Sequence, residues 1–95
     1  MSFFNFMPEM NSQIESQIRD YINRNMLFNS GTSKFSNEAS LLQEGIIDSI
    51  GIMELVTFVS QTYGVTVPPE EILPENFDSI SRIASFVRRR QVVEA

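Results

Sequence analysis

The stretch Gly45-Ile46-Ile47-Asp48-Ser49-Ile50-Gly51 holds the two residues with the most chemistry to offer, an acid and a hydroxyl side by side where a loop gives way to a helical pattern. The chain around them has 95 residues with no histidine and no cysteine. The commonest general base is therefore missing, and so are thiolate zinc ligands and disulfides. Paired carboxylates would remain for a hydrolase, yet nothing in the pattern forms a cleft in which two of them converge. The bland role for Asp48 and Ser49 is capping, since both types satisfy free N–H groups at a helix start and are worth about 1 kcal/mol there. A cap needs only one side chain, however, and this hydroxyl is surrounded by apolar and glycine positions. A hydroxyl at a helix N-terminus also suits a phosphodiester, because the dipole and the unpaired N–H groups favour an adjacent negative charge. Glycine at position 51 leaves room beside it. A separate transferase can supply the metal and base for such a modification, so no local histidine is required.

The charge pattern is centred on the same place. From Phe35 to Ser81 there are eight acids (Glu38, Glu44, Asp48, Glu54, Glu70, Glu71, Glu75 and Asp78) and no Lys or Arg. The other four acids stand with all seven bases toward the ends, so the net charge of −5 divides into −8 in the middle and +3 outside it. Such a field repels nucleic acid and speeds encounter with a basic protein surface. Composition is that of a globular chain, 42% hydrophobic and 20% charged. One small domain with one core is expected, and no run reaches membrane-spanning length. The apolar start Met1–Met7 lacks the basic flank and small-residue cleavage site of a secretion signal. A cytoplasmic protein and a monomer are expected, with residues 1–7 as a flexible arm and residues 8–92 as the single domain.

These residues have to be positioned by helices. Met10, Ile14, Ile18, Tyr21 or Ile22, and Met26 recur at helical spacing from about Pro8 to Leu27, with Pro8 or Ser12 as alternative starts. Turn formers from Asn29 to Asn37 end that helix and open a connection running to about Asp48. So long a loop is uncommon unless functional or packed by its own side chains, for which Phe35, Leu41, Leu42, Ile46 and Ile47 are available. Residues 39–43 are expected to form a single helical turn. From Ser49 to Tyr63 the positions Ile52, Leu55, Val56, Val59 and Tyr63 form one apolar face, with Gly64 as the C-terminal cap. Ile50 and Met53 lie off that face, near the helix start, which points to a contact surface. Val65-Thr66-Val67 reads as extended. Pro69 and the acids after it favour a short helix stopped by Pro74. Ile80, Ile83, Ala84 and Val87 form the stripe of a last helix, capped by Asp78 or Ser79 and closed by Arg88, Arg89 and Arg90. The expected fold is all-α: three main helices and one short one, with a long loop between the first two.

The order helix, long loop, Asp-Ser at a helix start, short helix and closing helix resembles the acyl carrier protein family. So do the words Leu41-Leu42-Gln43-Glu44-Gly45-Ile46-Ile47-Asp48-Ser49-Ile50 and Asn76-Phe77-Asp78-Ser79-Ile80, and the likeness runs from about Glu9 to Arg90. The resemblance implies a right-handed antiparallel helical bundle in which Ser49 receives 4′-phosphopantetheine from coenzyme A. Acyl groups would ride on its terminal thiol as thioesters. Asp48 would help a phosphopantetheinyl transferase recognise the site, and Ile50, Gly51, Met53, Glu54 and Thr57 would form the surface that partners read. The chain itself would be no enzyme and would hold no metal.

Carriers of primary fatty-acid synthesis in that family usually follow the modified serine with leucine and carry several acids along the second helix. Here Ile50-Gly51-Ile52-Met53 follows, and Glu54 is the only acid between Ile50 and Tyr63. Partners that rely on many salt bridges should bind such a surface poorly. A carrier of a specialised pathway is therefore the expectation, and Phe58, Val59 and Tyr63, if they fill the interior, favour small cargo. Two alternatives stand beside it: an aminoacyl or peptidyl carrier loaded by an adenylating ligase, and an unmodified helical interaction module in which Ser49 is only a cap.

Overall fold

A computed structural model describes residues 13–25 and 35–94. The arm at 1–7, the alternative starts Pro8 and Ser12, the positions Met10, Met26 and Leu27, and the turn formers up to residue 34 lie outside the described residues. Within them the chain is helical, with no strand. Helix α1 spans Gln13–Asn25, α2 Ser49–Tyr63, α3 Pro74–Phe77 and α4 Ile80–Glu94, with a 3-10 turn at Pro69–Glu71 between α2 and α3. The last helix is the hub, touching each of the other three.

The stripes read from the sequence are the faces that close the core. Ile18 and Ile22 of α1, Ile52, Leu55, Val56 and Val59 of α2, and Ile80, Ile83, Ala84 and Val87 of α4 are all buried. Phe86, outside the expected stripe, is buried as well, its ring 5.1 Å from that of Phe77 in α3. Across the α1–α2 seam Tyr21 stacks on Phe58 at 4.1 Å, and Tyr63 meets Phe58 edge-on. The Tyr63 hydroxyl donates to Gln17 at 2.6 Å. Glu15 of α1 takes both terminal nitrogens of Arg88 in α4 at 2.8 Å each. That fork fixes the first helix against the last.

Local chemistry sets the boundaries. Gly64, at φ 66°, returns its N–H to the Ser60 carbonyl and ends α2, as a glycine in the left-handed region does at low steric cost. The expected short helix is divided. Residues 69–71 make only a 3-10 turn, and Pro74 opens α3 instead of stopping a helix, because a first-turn position needs no N–H. Asn76 bridges the two pieces through its Nδ2 to the Glu71 carbonyl at 2.9 Å. Ser79, not Asp78, caps α4, its Oγ accepting the Arg82 N–H at 3.1 Å. That helix runs a full turn beyond the three arginines, with no basic residue in its last turn.

Candidate functional site

The residues before Asp48 are a folded connector that shares the core of the helices. Leu41, Ile46 and Ile47 are buried with the helices, and Phe35 packs beside them under the Arg19 guanidinium, 4.5 Å from the ring centre. Leu42, expected inside, is exposed. The helical turn expected at 39–43 falls slightly later, where Glu44 N–H reaches the Ser40 carbonyl at 3.0 Å and Gly45 N–H the Leu42 carbonyl at 3.1 Å. Gly45 then takes φ 70°, and Ile46 and Ile47 both donate back to the Leu41 carbonyl, at 2.9 and 3.2 Å. A β-carbon at Gly45 would meet nothing within 4 Å, so backbone conformation alone selects glycine there.

Two clasps hold this connector to the bundle. Asn37 accepts the Ser81 N–H on its carbonyl at 2.9 Å and an Arg19 N–H on its side chain at 2.7 Å, while Glu38 accepts the Ser81 hydroxyl at 2.8 Å. Asp78, between α3 and α4, accepts the Leu41 N–H on its carbonyl at 2.9 Å. Its carboxylate accepts the Leu42 N–H at 3.1 Å and the Ser40 hydroxyl at 2.6 Å. Sequence reasoning assigned Asp78 only as a possible cap for α4. Spacing along the chain carries no signal for a contact to a loop so far upstream.

At the end of the connector Asp48 has extended backbone and is the N-cap of α2, its Oδ1 accepting the Gly51 N–H at 2.8 Å. Its carbonyl takes the Ile52 N–H at 3.0 Å. Ser49 is therefore the first residue inside the helix. It is exposed, and its hydroxyl has no hydrogen-bond partner among the described residues. The N–H groups of Ser49 and Ile50 are the ones a helix start leaves without intrahelical partners. A phosphate esterified to this oxygen fits such a position, since the acid next to it is already committed to Gly51 and the helix end carries positive partial charge. Among the described residues no group of three or more acids gathers as a metal site.

The surface around Ser49 is largely apolar. Ile50 is 69% exposed, Met53 50%, and Leu42 and Leu73 each 40%. With Ile52, Pro74 and Phe77 they line an open groove of about 410 Å³ that reaches from Ser49 to Asp78. Glu54 and Thr57 are exposed on the same helix, Thr57 donating to the Met53 carbonyl at 3.2 Å. Gly51, expected with them, is buried, its N–H held by Asp48. Leu42 and Leu73 were missing from the sequence-based surface because they come from the loops on either side of α2. No helix of the described residues is long and apolar enough to cross a membrane.

Comparison with known proteins bears on the same segment. The family described as "Phosphopantetheine attachment site" matches residues 27–87, well over half of the chain. A D-alanyl carrier protein of Abiotrophia defectiva is 28% identical over 53 residues, 56% of this chain and 67% of that protein. One of Lactococcus lactis subsp. lactis (strain IL1403) is 28% identical over 64 residues, 65% of this chain and 81% of that protein. One of Lactococcus lactis subsp. cremoris (strain MG1363) is 29% identical over 63 residues, 64% of this chain and 80% of that protein.

Proposed function

This chain belongs to the phosphopantetheine attachment site family, and on that premise we propose that Ser49 is its attachment point and that the carrier presents a small acyl group to partner enzymes. The observation that carries this reading is the division of tasks between neighbours: Asp48 caps the helix through Gly51, and the Ser49 hydroxyl stays exposed. When bound, 4′-phosphopantetheine supplies the thiol on which an acyl group is held as a thioester. The chain's own residues do the placing. Ser49 would provide the esterified oxygen, and the N–H groups that the helix start leaves without intrahelical partners would favour the negative charge of the phosphate. Asp48 keeps that turn closed and offers the transferase an acid next to its target. Ile50, Met53, Glu54 and Thr57 offer the face on which partners dock, and tethering raises the local concentration of cargo at their active sites.

The printed name of the relatives, D-alanyl carrier protein, supports an amino acid as cargo, loaded by an adenylating ligase. The packing between α1 and α2 supports small cargo in the same direction, since Val59 is fully buried and the rings of Tyr21, Phe58 and Tyr63 meet there. A non-amino acyl group in a specialised pathway differs from this only in the ligase and in what the thiol carries.

The test is intact mass after incubation with coenzyme A and a broad-specificity phosphopantetheinyl transferase. The mass should rise by one phosphopantetheine, and Ser49→Ala should gain nothing. A folded wild-type chain left unmodified by several transferases would return the protein to the interaction-module reading. Loading of the modified chain by purified D-alanine ligase and by acyl ligases then separates the two kinds of cargo.

A further inference from the structure

Resting on Ser49 as the attachment point, we propose that Asp78 is a positioning residue for its modification: it holds the connector in the shape that presents Asp48 and Ser49 to the transferase. Asp78 lies outside α2 and makes no capping bond to the helix after it, because Ser79 Oγ takes the Arg82 N–H of α4. Both carboxylate oxygens turn back to the connector instead, one to the Leu42 N–H and one to the Ser40 hydroxyl, at 3.1 and 2.6 Å. Ser40 Oγ in turn accepts the Gln43 N–H at 3.1 Å.

The effect reaches Ser49 by a short run of bonds. Leu41 donates its N–H to the Asp78 carbonyl at 2.9 Å, and the Leu41 carbonyl receives both Ile46 and Ile47, the last two residues before Asp48. With Asp48 locked to Gly51, no unpinned stretch lies between the clasp and the attachment serine. Leu42, whose N–H Asp78 holds, is also a wall of the groove beside Ser49. Removing the carboxylate leaves the Leu42 N–H and the Ser40 hydroxyl to seek water, which favours an opened connector. Only the closed fraction would be recognised, so the loss appears as a weaker apparent affinity for the carrier.

The experiment uses the full chain as protein substrate, with coenzyme A saturating, and measures kcat and KM of phosphopantetheinyl transfer for Asp78→Ala, Asp78→Asn and Ser40→Ala. Each is kept at a temperature where its helical circular dichroism matches wild type, and amide exchange is followed at Leu41, Leu42, Ile46 and Ile47. Asp78→Ala should raise KM about tenfold with kcat unchanged and speed exchange at those amides. Asp78→Asn keeps an acceptor for Leu42 and a polar partner for Ser40, so it should stay within about threefold of wild type. Ser40→Ala should show a smaller rise of the same kind. A folded Asp78→Ala chain with wild-type KM overturns the proposal and reduces Asp78 to a stability role. Asp78→Asn as impaired as Asp78→Ala also overturns it, because the charge is then read directly by the transferase. If Asp78→Ala does not fold, Ser40→Ala decides: unchanged KM with unchanged exchange overturns it. Absence of any transfer to wild type removes the Ser49 reading and this inference together, whereas transfer to wild type and Asp78→Ala alike removes this inference alone.

Discussion

The Asp48 carboxylate accepts the Gly51 N–H at 2.8 Å, and Ser49 between them is left with an exposed hydroxyl. Stability and modification should therefore separate between the two neighbours. Asp48→Ala should cost about 1 kcal/mol in urea unfolding, and Asp48→Asn, an equally good cap, only a few tenths. Ser49→Ala should change stability by less than about 0.5 kcal/mol while abolishing the mass gain with coenzyme A and a transferase. A Ser49→Ala chain as unstable as Asp48→Ala would mean that the hydroxyl shares the capping.

The bidentate pair Glu15–Arg88 should be the most sensitive polar contact between the first and last helices. Its side chains are 18% and 35% exposed, so water screens it only in part. Arg88→Ala should cost about 2 kcal/mol, and the coupling between the two residues in a double-mutant cycle should be about 1 kcal/mol. Arg88→Lys should recover little, because an ammonium cannot offer two parallel donors. Coupling near zero would show that solvent makes up the loss.

The helices were legible where periodicity decides them. The stripe from Ile52 to Val59 and the glycine after Tyr63 fix α2 to the residue, and the stripe from Ile80 to Val87 fixes the buried face of α4. What was not legible depends on contacts between distant parts of the chain. Pro74 was read as a stop because proline breaks a continuing helix, but the same ring is at home in a first turn, and α3 begins there. Asp78 and Ser79 are both good caps. Only the fold decides that Ser79 does the capping while Asp78 turns back to Ser40 and Leu42. At the site, Asp48 and Ser49 stand out by their types at the junction of a long loop with a helical pattern and by the resemblance around them, but which of them caps required the 2.8 Å bond to Gly51.

Leu41 ties the connector to the core with both its side chain and its backbone. The side chain is fully buried, its N–H goes to Asp78, and its carbonyl holds Ile46 and Ile47. Leu41→Ala should cost about 2–4 kcal/mol by loss of burial and the cavity left behind. Leu42→Ala, at an exposed position, should stay within about 0.5 kcal/mol. Equilibrium unfolding of both variants checks the contrast, and equal losses would contradict the burial that separates these neighbours.

Tyr63 predicts how stability responds to alkali. Burial first, and the nearby Glu15 carboxylate second, raise its hydroxyl above the usual 10.0, with Arg88 pulling the other way. The folded state therefore keeps this proton to a higher pH than the unfolded chain. Its contribution is fully present below about pH 10 and is lost as the pH rises through the raised value. The urea midpoint of wild type should fall across that window. Tyr63→Phe should be less stable at neutral pH through loss of the bond to Gln17, but should fall less steeply in alkali. Parallel curves for the two proteins would rule out Tyr63 as the source.

Ile50 and Met53 project from the first turns of α2 into solvent, where burial cannot explain large apolar side chains. Replacing either by Glu should leave stability within about 0.5 kcal/mol, since an acid near a helix N-terminus suits the dipole. The same changes should lower kcat/KM of a partner that docks on this face by about tenfold or more if the residue is a central contact. Glu54 offers the contrasting case as the only acid between Ile50 and Tyr63. Glu54→Gln should have a smaller effect, and the wild-type reaction should weaken only gently as salt rises, because few charges are there to be screened. Transferase and ligase kinetics across a salt series measure both. A steep salt dependence together with unimpaired Ile50→Glu and Met53→Glu chains would assign recognition to the acidic residues outside α2 instead of to its apolar start.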